Sequence, residues 1–199
     1  MTRPPLNIAA LMGSRICHDL ISPIGAIANG VELLSMTGQS GPEIELISES
    51  AQNANARIRY FRVAFGAASE GQTISAGEIR TLLSDLTRGS KLQVDWQAAG
   101  DVPRIDARLV FLLMMCFETA MPWGGTVILS QTGREWSMSG RAERLKIDAP
   151  LWQTLSGSDA PSGISAAEVH FLMLPPLSVE AGRNLNVAYT DTEITARLT

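Results

Sequence analysis

Residues 15–34 read RICHDLISPIGAIANGVELL, and this stretch decides how the first part of the chain folds. Apolar or small residues recur in and around it at alternating steps of four and three, the spacing that aligns them along one side of a helix. The pattern predicts one helix from Leu6 to about Met36, which Gly38 and Gly41 would end. The residues of this seam are Leu6, Ala10, Gly13, Cys17, Leu20, Ile24, Ile27, Val31 and Leu34.

A second long helix is predicted directly after the first. Ser40-Gly41-Pro42-Glu43 combines a serine cap, an early proline and a glutamate three residues after the serine, which is typical of a helix start. From Pro42 to about Ala68 the apolar steps are again three or four, at Ile44, Ile47, Ala51, Ala54, Ile58, Phe61 and Phe65. Two long helices joined by a short loop form an antiparallel hairpin. Because a lone hairpin cannot cover both seams, we expect a second copy to complete a four-helix bundle across a two-fold axis.

Beyond Glu70-Gly71-Gln72 the pattern changes to short strands and helices, which predicts a boundary between residues 1–70 and residues 71–199. The expected fold class is α+β, with the helical hairpin followed by an α/β sandwich whose antiparallel sheet has helices on one face. The predicted elements are a helix opened by the capping box Ser75–Glu78 and running to about Thr87, a strand at Leu92–Trp96, a helix at Leu109–Met121 capped by Asp106, strands at Thr126–Gln131 and Glu135–Ser139, a strand or connection at Leu145–Ile147, a helix opened by Ser165–Glu168 that Pro175-Pro176 would kink or split, and a closing hairpin of Leu185–Tyr189 and Glu193–Leu198.

Composition narrows the class of protein. The chain has 199 residues, 45% of them hydrophobic, which is enough for a real core, and its net charge of −4 argues against a nucleic-acid partner. Cys17 and Cys116 lie far apart in apolar patterns and are predicted to be two reduced, buried thiols. No signal peptide is evident, and the apolar run Leu109–Phe117 is shorter than the roughly 20 residues that span a bilayer. We therefore expect a cytoplasmic protein without a membrane partner.

A polar stripe is predicted beside the apolar seam of the first helix. It consists of residues at steps of four and three, about 100° around the helix from the seam. An imidazole in this stripe would face water among other polar groups, where a partner protein could reach it. The residues of the stripe are His18, Ser22, Gly25, Asn29 and Glu32.

His18 has the surroundings of a phosphoryl carrier. Imidazole titrates near neutral pH, so much of it is neutral and nucleophilic in the cell. Asp19 can hold a proton on one ring nitrogen while the other attacks, and Arg15, three residues before the histidine, can offset phosphate charge. Pro23 should bend the helix one turn later. The alternative interpretation is a surface or packing histidine without chemistry.

The phrase His18-Asp19-Leu20-Ile21-Ser22-Pro23 resembles the H-box of histidine-kinase dimerisation domains. From Arg15 to Leu34 the sequence is most similar to the ChpT family of alphaproteobacterial histidine phosphotransferases, dimers that accept phosphate from one receiver domain and pass it to another. The resemblance implies that His18 is the phosphoacceptor and Asp19 its supporting acid, and that Ser22 stands where kinases place a residue that can position a hydrolytic water.

The resemblance also implies the partners. The phosphate donor would be the receiver domain of a hybrid histidine kinase, and the acceptors would be response-regulator receivers. They would dock on the exposed stripe at Ser22, Asn29 and Glu32. Mg²⁺ would be bound by the receiver, and this chain would bind no cofactor of its own.

Residues 71–199 resemble a kinase ATP-binding domain whose ligand groups are missing. Met115–Pro122 contains no asparagine for magnesium, and Asp159–Gly163 has a proline where the first glycine of the adenine segment belongs. A single glycine, Gly163, precedes the following helix, so a phosphate-binding loop is missing too. His170, in an apolar stretch, is interpreted as a packing or surface residue, and no zinc-like ligand spacing occurs.

Two other functions compete with phosphotransfer. An ATP-dependent histidine kinase would need the missing asparagine and glycine segments, and it would label His18 from ATP. A non-catalytic dimeric scaffold, such as an anti-sigma-like binder, would keep its function in a His18→Ala variant. The sequence favours phosphotransfer over both.

Overall fold

A computed structural model describes residues 7–37, 42–159, 161 and 163–199 of the chain. The predicted antiparallel hairpin is present, with α1 at Ile8–Thr37 and α2 at Pro42–Ala64. The two helices approach closely at Gly30, where an added Cβ would lie 2.5 Å from Cγ1 of Ile47. The helix-ending and helix-starting signals at residues 38–41 lie outside the described residues.

The second helix is shorter than the prediction, since it ends at Ala64 instead of about Ala68. Its last turn is met by Arg104 from the α/β part, which donates to the Val63 carbonyl at 2.8 Å and also to the Arg62 carbonyl. Helix ends leave such carbonyls without intrahelical partners. The Arg104 guanidinium therefore supplies the hydrogen bonds that a further helical turn would give to these carbonyls.

The remainder is a mixed α/β structure, so the α+β class is confirmed. The elements are β1 Thr73–Ser75, α3 Ala76–Thr87, β2 Leu92–Trp96, β3 Asp101–Pro103, α4 Arg104–Ala120, β4 Gly125–Thr132, β5 Glu135–Arg141, α5 Ala149–Gln153, α6 Val169–Glu180, β6 Leu185–Tyr189 and β7 Glu193–Leu198, with short 3₁₀ turns at Thr154–Ser156 and Ala166–Glu168. A five-stranded sheet has the order β2-β4-β5-β7-β6, and β1 pairs with β3 in a separate two-stranded ladder. The five-stranded sheet is mostly antiparallel, as predicted, but the β2–β4 pair is parallel, because the chain crosses over between these strands through α4.

The core lies on one face of the sheet, around the almost fully buried α4. Burial alternates along β4, where Val127 and Leu129 are buried while Ile128 between them is exposed. The hairpin joins this core through Tyr60 of α2, which is buried and donates its hydroxyl to the Phe111 carbonyl at 3.2 Å. The phosphoacceptor candidate on α1 is thus mounted on the same body as the α/β core.

Asp106 is not the cap of α4. The helix begins at Arg104, and the Asp106 side chain is buried in its first turn, where Arg183 Nε donates to it at 3.1 Å and Trp136 Nε1 at 3.4 Å. A buried carboxylate requires a cation and hydrogen bonds, and Arg183, far along the chain, supplies them. Asp106 therefore takes part in a buried, hydrogen-bonded ion pair in the core and does not cap the helix.

Other helix signals had mixed outcomes. The Ser75 hydroxyl accepts from the Glu78 amide at 3.1 Å, and the capping box of Ser165 and Glu168 is present, as predicted. Of the kink or split predicted at Pro175-Pro176, the split is wrong, because α6 continues through both prolines to Glu180. Leu145–Ile147 is a connection and forms no strand.

The two cysteines differ in exposure. Cys116 is buried in α4, where burial raises the pKa of its thiol, but Cys17 is exposed, so the prediction of two buried thiols was wrong for it. The reason is that α2 covers one side of α1 and leaves the Cys17 side open. Within the described ranges, no helix is long and apolar enough to cross a membrane.

Candidate functional site

His18 lies near the middle of α1, with 83% of its side chain exposed. The other residues of the predicted stripe, Ser22, Gly25, Asn29 and Glu32, are exposed as well. The four-and-three spacing places them on one side of the helix. The imidazole is therefore open to a partner that approaches from solution.

The Asp19 carboxylate contacts the histidine ring. Asp19 Oδ1 lies 3.2 Å from His18 Nδ1, and the Asp19 side chain is only 12% exposed. Because the carboxylate accepts a hydrogen bond, it favours a proton on Nδ1 and leaves Nε2 with a free lone pair. His18 and Asp19 are thus close enough for the predicted arrangement, in which one ring nitrogen holds a proton and the other attacks.

The Arg15 guanidinium donates hydrogen bonds to two groups within the protein. Its Nε donates to Asp19 Oδ2 at 3.0 Å, and its Nη1 donates to the Ala167 carbonyl in the 3₁₀ turn before α6. The side chain is therefore held between the helix that bears His18 and the α/β part. Arg15 contributes positive charge beside the imidazole from a fixed position.

A cleft of about 880 Å³ opens beside His18, between the hairpin and the α/β part. Ser22 lines its hairpin side together with His18, whereas Lys146 and Glu168 line the opposite side. Asn29 and Glu32 lie farther along α1, beyond the described lining of the cleft. The predicted contact residues are therefore divided between the cleft and the open helix surface.

The sequence analysis did not place Arg57 and Glu118 near Asp19. Arg57 of α2 places Nη1 3.7 Å from Asp19 Oδ2, and Glu118 of α4 is half-buried in the cleft wall. Burial raises the pKa of Glu118, while the nearby cations Arg57 and Arg15 oppose that rise. No spacing rule could have paired Arg57 with Asp19, because their contact depends on the register between two helices.

His170 is a packing residue, in line with its interpretation from sequence. It is completely buried in α6, and its Nε2 lies 3.2 Å from Thr119 Oγ1. Burial, aided by the positive charge of Arg15, lowers the pKa of the ring to about 3. The ring is therefore neutral and inaccessible, which distinguishes it from His18. Among the described residues, no group of three or more His, Cys, Asp and Glu side chains could hold a metal ion.

Comparison with known proteins identifies the family. Residues 76–193 match the family model described as the histidine phosphotransferase C-terminal domain. The chain belongs to this family. Protein phosphotransferase ChpT of Brucella abortus (strain 2308) is 32% identical over 98% of this chain and 96% of its own. A solved structure described as a bacterial phosphotransferase superposes with a TM-score of 0.82 at 30% identity, covering 100% of this chain and 98% of that one.

The resemblance found at Arg15–Leu34 is thereby confirmed along the whole chain. The protein is a phosphotransferase of the phosphorelay type, and the rival interpretation as a non-catalytic scaffold is not supported. In this phosphotransferase, the exposed histidine of α1 and the carboxylate beside it are the groups best placed for the chemistry.

Proposed function

We propose that His18 is the residue that carries the phosphoryl group, relaying it between the aspartates of two receiver domains. One observation supports this most strongly: Asp19 occupies the Nδ1 side of a ring that is 83% exposed, which leaves Nε2 directed away from that carboxylate. Asp19 acts as the supporting acid, because it holds the proton on Nδ1 and stabilises a positively charged ring.

The transfer proceeds in two balanced steps. The Nε2 lone pair attacks the phosphorus of the donor phospho-aspartate in line, and the P–O bond breaks as the donor carboxylate leaves with its electron pair. An N–P bond forms and the ring becomes positive, with its proton still on Nδ1 beside Asp19. The acceptor aspartate then attacks the same phosphorus, and the N–P bond returns its electrons to Nε2. Mg²⁺ held by the receiver offsets charge in both steps.

The receiver is proposed to dock over the cleft and along the exposed stripe of α1. Ser22 in the cleft and Asn29 and Glu32 farther along the helix would contact it. Arg15 would offset phosphate charge without moving, because it is already held by Asp19 and by the Ala167 carbonyl. The donor would be the receiver of a hybrid histidine kinase and the acceptors response-regulator receivers, in a cytoplasmic relay without nucleic acid or membrane.

The protein is further proposed to act as a homodimer whose hairpins form a four-helix bundle. Large apolar side chains are exposed along both helices of the hairpin, more than a solvated surface normally leaves uncovered. A second copy packed across a two-fold axis would cover them. These side chains are Ile21, Ile24, Met36, Ile44, Leu46 and Ile58.

The test is phosphoryl transfer from a receiver labelled with ³²P on its aspartate. We expect wild-type protein to take up the label, His18→Gln to take up none, and Ser14→Ala, an exposed neighbour on α1, to behave like wild type. A parallel incubation with labelled ATP and Mg²⁺ should leave the protein unlabelled. A His18→Gln variant that accepts label as fast as wild type would refute the proposal, and labelling from ATP would favour a kinase.

A further inference from the structure

The Asp19 carboxylate is held from two helices at once. Its Oδ2 lies 3.0 Å from Arg15 Nε of α1 and 3.7 Å from Arg57 Nη1 of α2, while its Oδ1 faces the imidazole. Two cations thus share one oxygen and the ring takes the other. We propose that Arg57 is a positioning residue that orients Asp19 and, through it, fixes which nitrogen of His18 is protonated. This inference rests on the proposed phosphotransfer function.

Arg15 alone does not determine the direction of the carboxylate. It approaches Asp19 from one turn earlier on the same helix, and its Nη1 is committed to the Ala167 carbonyl. Arg57 reaches the same oxygen from the facing helix and therefore supplies a second direction of approach. A planar carboxylate restrained from two directions cannot easily turn its other oxygen away from the ring.

The surroundings of Arg57 suit a fixed position. Its side chain is 31% exposed, and it lines the cleft beside His18 together with Glu118 of α4. A guanidinium is weakly hydrated and has several donors in a rigid plane, so it can hold a carboxylate in a defined orientation. Arg57 therefore lies on the cleft wall within ion-pair distance of Asp19.

Loss of Arg57 would change which nitrogen of the His18 ring carries the proton. In a neutral imidazole the proton resides on the nitrogen with the better acceptor nearby. If Arg57 is removed and the carboxylate turns, a larger fraction of His18 carries its proton on Nε2. That nitrogen then has no lone pair for attack on phosphorus, so transfer slows although the docking surface is unchanged.

The first measurement is the tautomer of His18 in the full-length chain, from long-range ¹H–¹⁵N spectra of histidine-labelled protein at a pH where the ring is neutral. The chain has two histidines, and the buried His170 reports whether the fold is intact. We expect Arg57→Ala to lower the Nδ1–H fraction of His18, Arg57→Lys to retain part of it, and the control Arg59→Ala to leave it unchanged.

Arg59 is a matched control because it lies on the same helix and pairs with Asp85 of α3, away from Asp19. If the alanine variant disturbs the His170 signals, Arg57→Gln provides the comparison, since it removes the charge and keeps a polar side chain. A wild-type tautomer ratio in a folded Arg57 variant would overturn the proposal.

The second measurement is the transfer rate from a phosphorylated receiver. We expect Arg57→Ala to lower the rate at saturating receiver several-fold with an unchanged KM, because the rate follows the fraction of His18 rings whose Nε2 carries a free lone pair. In an Asp19→Asn background the same change should add nothing, and an additive loss would contradict an action through Asp19. A wild-type protein that accepts no phosphate would refute the proposed function, while the tautomer result would still decide the role of Arg57.

Discussion

Two glycines of α1 should respond in opposite ways to the same substitution. Gly30 is buried against α2, where an added Cβ would lie 2.5 Å from Ile47 Cγ1, whereas nothing lies within 4 Å of a Cβ added at Gly25. Alanine in place of glycine inside a helix is worth about 1 kcal/mol of stability. This gain is common to both variants. The difference between their free energies of unfolding therefore gives the cost of the close approach at Gly30.

The magnitude follows from the nature of the neighbour. Ile47 is β-branched and has one strongly preferred rotamer in a helix, so it cannot simply turn away from the new methyl group. Overpacking of this kind costs about 1–3 kcal/mol. We therefore expect Gly25→Ala to stabilise the protein by about 0.5–1 kcal/mol, and Gly30→Ala to destabilise it by up to about 2 kcal/mol.

The assay is urea unfolding followed by circular dichroism, at one protein concentration for all variants because dimerisation would couple stability to concentration. The midpoint should rise for Gly25→Ala and fall for Gly30→Ala. If Gly30→Ala raises the midpoint as much as Gly25→Ala does, the helices are not in close contact at Gly30. The register that brings Arg57 to Asp19 would then be wrong as well.

Three further predictions concern the core and the hairpin surface. The folded protein holds His170 neutral with a pKa of about 3, whereas the unfolded chain protonates it near pH 6.5. The free energy of unfolding should therefore fall as the pH drops below about 6.5, by about 2 kcal/mol at pH 5. A His170→Asn variant should lack this loss when urea midpoints are compared across the same pH range. Arg183→Met leaves the buried Asp106 carboxylate without its cation and should lower the free energy of unfolding by about 3–5 kcal/mol in the same assay. The double variant Asp106→Leu with Arg183→Met should recover most of this loss. Ile24→Glu should shift sedimentation equilibrium to the monomer mass, unlike Val179→Glu on the exposed end of α6; a dimer that survives the first change would contradict a hairpin-mediated interface.

The hairpin and its histidine were predictable because the relevant information is local. The alternating steps of three and four act within each helix, and the His18–Asp19 pair lies in consecutive residues. The strands Leu92–Trp96, Leu185–Tyr189 and Glu193–Leu198 were predicted with their observed bounds, since each is an alternating segment between turn signals.

What the sequence could not show depends on residues distant along the chain. Asp106 has the local signature of a helix cap, and its role in the core depends on Arg183, 77 residues later. The ladder of β1 and β3 consists of three-residue strands, which are too short for alternation to be visible. In the candidate site, Arg57 meets Asp19 through the helix register, and Glu118 enters the same cleft from another element.

The role of His18 as the phosphoryl carrier is tested most directly by locating the phosphate. The protein is mixed with a phosphorylated receiver, quenched at alkaline pH to preserve N–P bonds, digested and sequenced by mass spectrometry. The account predicts a phosphoramidate on His18 that disappears when an excess of unphosphorylated acceptor receiver is added. Phosphate on another residue, or a His18 peptide that stays unmodified while the receiver loses its label to the protein, would contradict it.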